Sequence, residues 1–128
     1  MTTPEQIDAI RRLNDAARMF PGAGSIANVT SGFLALIDAD RFAALAAIVT
    51  FANFDHDNDP YGEHDFGAIY RLPTGTWTQD RPEDAKVITQ TVFWKVDCYD
   101  KDLMFGSEAP WDKAQTKRVL TIMLASEY

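Results

Sequence analysis

Cysteine and long hydrophobic runs are scarce in this sequence. Cys98 is the only cysteine, so no internal disulfide can form. No apolar run approaches the ~18 residues that a membrane-spanning helix needs, and the N-terminus lacks the basic and then apolar pattern of a secretory signal peptide. We therefore expect a protein of the reducing cytoplasm without a membrane span, in which Cys98 is a half-buried strand residue.

Basic residues and phosphate-binding motifs are also few. The segment PGAGS at residues 21–25 lacks both the glycine spacing and the Lys-Ser/Thr ending of a phosphate-binding loop, and predicts only a helix stop. The formal charge is −7, and residues 55–112 hold thirteen acidic against five basic residues. Because phosphate backbones repel such a chain, we expect no direct nucleic-acid binding and favour a basic protein surface as partner. The alternative is that the charge only keeps the domain soluble.

The chain of 128 residues fits a single domain over residues 1–128. The predicted elements are a helix at 4–19, a short strand at 25–30, a short helix after Asp38 or Asp40, strands at 48–54, 66–72 and 87–99, and a last helix at 112–127. Phe42, Leu45 and Ala46 should face inward from the short helix, and the last helix should bury Val119, Leu120, Met123 and Leu124. This order predicts an α+β fold, with an antiparallel sheet of about four or five strands covered by the N- and C-terminal helices.

One dense stretch, DHDNDPYGEHD at residues 55–65, holds five acidic residues and both histidines of the chain. A calcium loop is excluded because Pro60 occupies its sixth position, where glycine is required, and Phe66 its twelfth, where glutamate is required. Asp59 to Gly62 is typical of a type I turn, so the stretch can be a turn with solvated carboxylates. Two functional interpretations stay open beside this one.

The first functional interpretation is a partner-binding acidic loop, formed by Asp55, Asp57, Asp59, Tyr61, Glu63 and Asp65. The second is an enzyme site. Imidazole and carboxylate groups suit zinc, manganese or iron, and the candidate ligands are His56, Glu63, His64 and Asp65. Crowded carboxylates could also serve acid-base chemistry, although no nucleophile is placed beside them. No cofactor is predicted under the first interpretation.

Three strings carry a resemblance to a known family. They are DNDPYGEHDFG at 57–67, WKVDCYD at 94–100 and TKRVLTIMLASEY at 116–128, preceded by Asn14-Asp15 in the first helix. In this order they resemble a small bacterial family defined only as a domain of unknown function. The resemblance implies cargo of plasmids and other mobile elements, often encoded among antirestriction-type accessory genes.

Together, the resemblance and the acidic charge favour an anti-defence protein of antirestriction or anti-CRISPR type. Such a protein would bind a host nuclease, or its nucleic-acid-guided complex, at a basic surface and block it. The alternative is a metal-dependent or acid-base enzyme that uses residues 55–65.

Overall fold

The computed structural model describes all 128 residues, which form three helices, five strands and three short 3₁₀ segments. The helices are α1 (Pro4–Met19), α2 (Ser31–Leu34) and α3 (Asp38–Val49). The strands are β1 (Ile26–Val29), β2 (Phe66–Arg71), β3 (Trp77–Thr78), β4 (Gln90–Tyr99) and β5 (Lys117–Leu124). The 3₁₀ segments are Ala85–Val87, Lys113–Gln115 and Ala125–Glu127. The α+β class is confirmed.

The five strands form one mixed sheet in the order β1-β5-β4-β2-β3. Pairs β2–β3, β2–β4 and β4–β5 are antiparallel, whereas β1 runs parallel to β5. A purely antiparallel sheet was therefore the wrong prediction. Only strands joined by a short turn are forced to be antiparallel, and β1 is separated from β5 by most of the chain, which leaves their relative direction free.

The hydrophobic core lies on one face of this sheet. Alternate residues of β4, namely Val92, Trp94 and Val96, are buried there, as the alternation in the sequence predicted. They pack with Ile69 of β2 and Leu120 and Ile122 of β5, and with Phe33, Ala17, Ala44, Ile48 and Phe51 from the helices and the segment after α3. Gly67 of β2 is required beside Trp94, because the indole nitrogen would lie 2.5 Å from a Cβ at that position.

Helix α1 begins as the sequence predicted. Thr3 accepts a hydrogen bond from the Gln6 backbone, the Gln6 side chain accepts one from the Thr3 backbone, and Pro4 opens the first turn. The helix buries Ile10 and Ala17, and also the polar residues Asn14 and Arg18. None of the three helices is long and apolar enough to cross a membrane.

The predicted helix at 112–127 is wrong, and the segment forms strand β5 instead. Its apolar run from Val119 to Leu124 fits a helical period and a buried strand equally well. Pairing decides between them, because β5 makes backbone hydrogen bonds with β4 on one side and β1 on the other. Leu120 is fully buried as predicted, but from a strand. The sheet therefore has no C-terminal α-helix against it.

The predicted strand at 48–54 is also wrong. Helix α3 continues to Val49, and residues 51–55 have no regular structure. Ile37, rather than Asp38 or Asp40, is the N-cap, and the buried side of the helix is formed by Ala44 and Ile48. Phe42, Leu45 and Ala46 lie on its exposed side. Apolar residues occur on both sides of this helix, so the helical period alone does not decide which side faces the core.

Candidate functional site

The stretch at 55–65, hereafter the acidic loop, lies between α3 and β2 and is organised by its own side chains. Asp55 accepts hydrogen bonds at 2.9 Å from the backbone amides of Asp57 and Asn58. The predicted turn is confirmed by the hydrogen bond from the Gly62 amide to the Asp59 carbonyl, at 3.1 Å. Gly62 has a φ of 69°, a conformation that glycine adopts with little strain. The loop therefore has a defined backbone.

One side of helix α1 fastens the loop to the rest of the protein. Arg11 Nε donates to the Gly62 carbonyl at 2.7 Å, and Asn14 Nδ2 donates to the Glu63 carbonyl at 2.9 Å. His64 Nδ1 lies 2.8 Å from Asp15 Oδ1, and since a carboxylate only accepts, this ring nitrogen donates. Three successive loop residues are thus bonded to α1.

His64 is the most constrained residue of the loop. Its backbone has a φ of 54°, which is uncommon for a residue with a Cβ. Its ring stacks on Phe54 with centroids 3.6 Å apart. Its amide donates to Asp59 Oδ1 at 3.2 Å, while its Nε2 lies 3.5 Å from Asp59 Oδ2. Both ring nitrogens therefore face carboxylates, and His64 joins the loop to α1.

A buried cation shares the Asp15 carboxylate with this histidine. Arg18 of α1 is 3% exposed and pairs with Asp15 at 3.0 Å. Its guanidinium carbon lies 5.5 Å from the centroid of Phe54 and 5.2 Å from that of Trp94, within the range of a cation–π interaction. Asp15 therefore links Arg18 to His64 at the base of the loop.

The acidic side chains of the loop differ in their environments. Asp55, Asp57 and Asp65 are exposed, Glu63 is half-buried, and the Asp59 side chain is 6% exposed. Asp55, Asp57, Glu63 and Asp65 make no ion pair with any lysine or arginine of the chain. Tyr61 projects from the turn and is 80% exposed. The loop thus presents unpaired negative charge around one aromatic side chain.

Two carboxylates of the loop have altered acidity. Burial, together with the nearby charges of Asp65 and Asp59, raises the pKa of Glu63. Burial is also the main cause that raises the pKa of Asp65, assisted by Asp59 and Asp97. Folding therefore disfavours the charged form of both groups.

Glu63 and Asp65 also line a small cavity together with Asp97 and Cys98. Burial raises the pKa of the Cys98 thiol, and its Sγ lies 3.7 Å from Asn14 Oδ1. A thiol that stays protonated is a poor nucleophile. Cys98 is half-buried in β4, as predicted.

The structure places the predicted metal ligands in different settings. His56 is exposed in the turn at 56–58, beside a cavity that Tyr61 and Asp59 also line, whereas His64 faces α1. No group of three His, Cys, Asp or Glu side chains is arranged to hold a metal ion. The partner-binding role of the loop stays a prediction.

Reasoning from residue chemistry missed the contribution of α1 to this site. Arg11, Asn14, Asp15 and Arg18 recur at spacings of three and four residues, which places polar groups along one side of a helix. Burial of Asn14 and Arg18 on that side was not predicted. The spacing of these four residues indicated a polar side of α1. The acidic loop that contacts this side lies about fifty residues away along the chain, so the sequence did not show what the side packs against.

The chain was also compared with known proteins. No curated protein and no solved structure matches it significantly. The model of a family described as protein of unknown function, DUF3768, matches residues 29–127. The match includes the acidic loop and strands β2 to β5, and it begins after α1. Because it covers more than half of the chain, the protein belongs to the DUF3768 family.

Proposed function

We propose that this protein is an accessory protein of mobile genetic elements that acts in the cytoplasm as an anti-defence inhibitor. In this proposal the acidic loop binds a basic surface of a host nuclease or of a nucleic-acid-guided complex. The antirestriction or anti-CRISPR class is suggested by the resemblance of the loop and C-terminal strings to cargo of mobile elements. The mode of action is argued from the loop itself.

The observation that carries the proposal is the contrast between the fixed backbone of the loop and its free charges. Gly62, Glu63 and His64 are bonded to α1, while Asp57 and Asp65 are exposed without a cationic partner. A surface already held in one conformation loses little entropy on binding. Unpaired carboxylates attract a basic surface and accelerate association with it. A basic nucleic-acid channel has this complementary charge.

Tyr61 supplies the apolar part of such an interface. Its side chain is exposed at the tip of the turn, next to Pro60. Tyrosine is enriched among the residues that dominate binding energy at protein interfaces. We expect Tyr61 to enter a pocket of the partner while the carboxylates around it pair with lysine or arginine.

The test is protection of unmodified phage DNA in bacteria that carry a defined restriction or RNA-guided system. We expect the wild-type protein to restore plaque formation in at least one such strain. The neutral variant, with Asp57→Asn, Glu63→Gln and Asp65→Asn, should fold normally and lose this protection.

The matched control removes the same charge elsewhere, through Glu5→Gln, Glu83→Gln and Asp102→Asn. These three side chains are exposed and make no ion pair or side-chain hydrogen bond, so the control should protect as well as the wild type. Equal protection by the neutral variant would show that the acidic loop is not the binding surface. Absence of protection against every system tested would contradict the anti-defence function itself.

A second candidate is acid-base chemistry at the same place, and the Asp15–His64 pair favours it. The two side chains lie 2.8 Å apart, and His64 has a left-handed backbone, a feature that clusters at functional sites. Glu63 and Asp65, with raised pKa values, would be the additional acids. Elemental analysis of the purified protein checks the metal-dependent form of this candidate, which requires stoichiometric metal that is lost in His64→Ala.

A further inference from the structure

A second charged surface lies on the side of α1 that faces away from the acidic loop. It is formed by residues that the proposed function does not use. It is a groove of about 450 Å³, here called the basic groove. Its cationic residues are Lys113, Lys117 and Arg118, and its apolar wall includes Leu13, Ala16 and Ile26. No acidic residue lines it. In a chain of net charge −7, three cations along a groove whose lining holds no carboxylate are a local reversal of sign.

Arg118 is the residue that makes this groove unusual. It is 6% exposed, and Nε donates to Asn14 Oδ1 at 2.7 Å while Nη2 donates to the Pro110 carbonyl at 2.5 Å. Both acceptors are neutral, Nη1 makes no hydrogen bond, and no carboxylate lies within ion-pair distance. Burial lowers the pKa of Arg118, but a guanidinium remains charged in proteins. The protein therefore maintains a buried positive charge without a counterion, which is costly.

The two lysines are free to approach a ligand. Lys113 lies in the 3₁₀ segment before β5 and Lys117 is the first residue of β5. Both are exposed and neither forms an ion pair. Two exposed ammonium groups can therefore pair with a ligand anion beside the buried guanidinium.

We infer that the basic groove binds a small organic anion whose carboxylate or phosphate group pairs with Lys113, Lys117 and Arg118, and whose apolar body lies against Leu13, Ala16 and Ile26. The anion supplies the counterion that Arg118 lacks, and the apolar wall gains from covering a hydrocarbon chain. A ligand site of this size and composition, apolar with a few convergent polar groups, is typical of small-molecule pockets. Carboxylates and phosphate esters share this chemistry, and the experiment distinguishes them.

The experiment is titration of the ¹⁵N-labelled protein with hexanoate, hexyl phosphate, inorganic phosphate and hexan-1-ol, followed by NMR chemical shifts. We expect hexanoate or hexyl phosphate to shift the amides of residues 13–26 and 113–118 in a saturable manner. The tighter of the two identifies the anionic group. Inorganic phosphate and hexan-1-ol, which lack the apolar body and the charge respectively, should bind at least about tenfold more weakly.

The variant Lys113→Gln/Lys117→Gln changes two exposed side chains, and should fold and bind the preferred probe about tenfold more weakly. The control Lys86→Gln/Lys101→Gln removes the same charge from exposed positions outside the groove and should bind like the wild type. Equal weakening in both variants would overturn the proposal, since it would indicate net charge alone. Hexan-1-ol binding as tightly as the anions, inorganic phosphate binding as tightly as hexyl phosphate, or no saturable shift at these amides would also overturn it.

Discussion

The acidic loop and the basic groove lie on either side of helix α1 and differ in how deeply their charged groups are buried. The loop fixes its backbone and leaves Asp55 and Asp57 in water, where a charge without an ion-pair partner costs little. The groove buries Arg118, and burial of a charge without a counterion destabilises the fold unless hydrogen bonds satisfy its donors. Asn14 joins the two regions, because its amide nitrogen donates to the Glu63 carbonyl and its oxygen accepts from Arg118. Burial, more than the number of charges, should therefore rank the effects of mutations.

The largest effect is expected at Asn14. Asn14→Ala would leave Nε of the buried Arg118 guanidinium and the Glu63 carbonyl without a partner, at a cost of about 3 kcal/mol or more in the free energy of unfolding. Denaturant unfolding measures this cost. Arg12→Ala, on the exposed side of the same helix, is the control and should cost less than about 0.5 kcal/mol. A cost under about 1 kcal/mol for Asn14→Ala would contradict the linking role of this residue.

The next effect separates the two histidines. His64→Ala removes the hydrogen bond to Asp15 and the stacking on Phe54, and should cost about 2 kcal/mol. His56→Ala, at an exposed position, should leave the unfolding midpoint nearly unchanged. Similar unfolding curves for the two variants would mean that His64 does not fix the loop.

A smaller effect is expected at the turn of the loop. Gly62→Ala forces a residue with a Cβ into a φ of 69° and should cost about 1 kcal/mol. Gly106→Ala is the comparison, because a Cβ there meets nothing within 4 Å and its φ is not left-handed. Thermal unfolding of both variants checks the difference, and an unchanged Tm for Gly62→Ala would argue against the turn geometry.

The smallest effect is a pH dependence of stability within the loop. The pKa values of Glu63 and Asp65 are raised by burial, so the folded protein binds more protons than the unfolded chain. Their contribution is thus most favourable below the ordinary pKa of about 4 and is lost as pH rises through the raised values. Glu63→Gln/Asp65→Asn should therefore be slightly more stable than wild type at pH 7, by less than about 1 kcal/mol.

This difference should shrink when unfolding is measured below about pH 3, where both carboxyls are mostly protonated in either state. If the variant were less stable than wild type at pH 7, and this deficit disappeared at acid pH, the two carboxylates would stabilise the fold instead.

Local signals in the sequence predicted the parts of the fold that depend on neighbouring residues. The capping box at Thr3 and the turn at Asp59 to Gly62 are set by hydrogen bonds within a few residues. The alternation in β4 reports directly which side chains are buried. These features needed no knowledge of the rest of the chain.

The wrong predictions concern segments whose structure depends on contacts between residues far apart in the sequence. The run from Val119 to Leu124 is apolar at almost every position, so its period is ambiguous, and pairing with β4 makes it a strand. The pairs Asp15–His64 and Asn14–Arg118 join residues 49 and 104 positions apart. No local pattern predicts such pairs, and the base of the candidate site therefore came from the structure.

In the proposed function, free carboxylates on a fixed loop bind a basic surface. The most direct test of this binding is inhibition of a purified defence nuclease that the wild-type protein blocks in cells, compared among the wild type, the neutral variant and the matched control. We expect the neutral variant to inhibit much more weakly at equal stability, the control to inhibit like the wild type, and added salt to slow wild-type association. Equal inhibition by all three proteins, without salt dependence, would contradict this mode of binding.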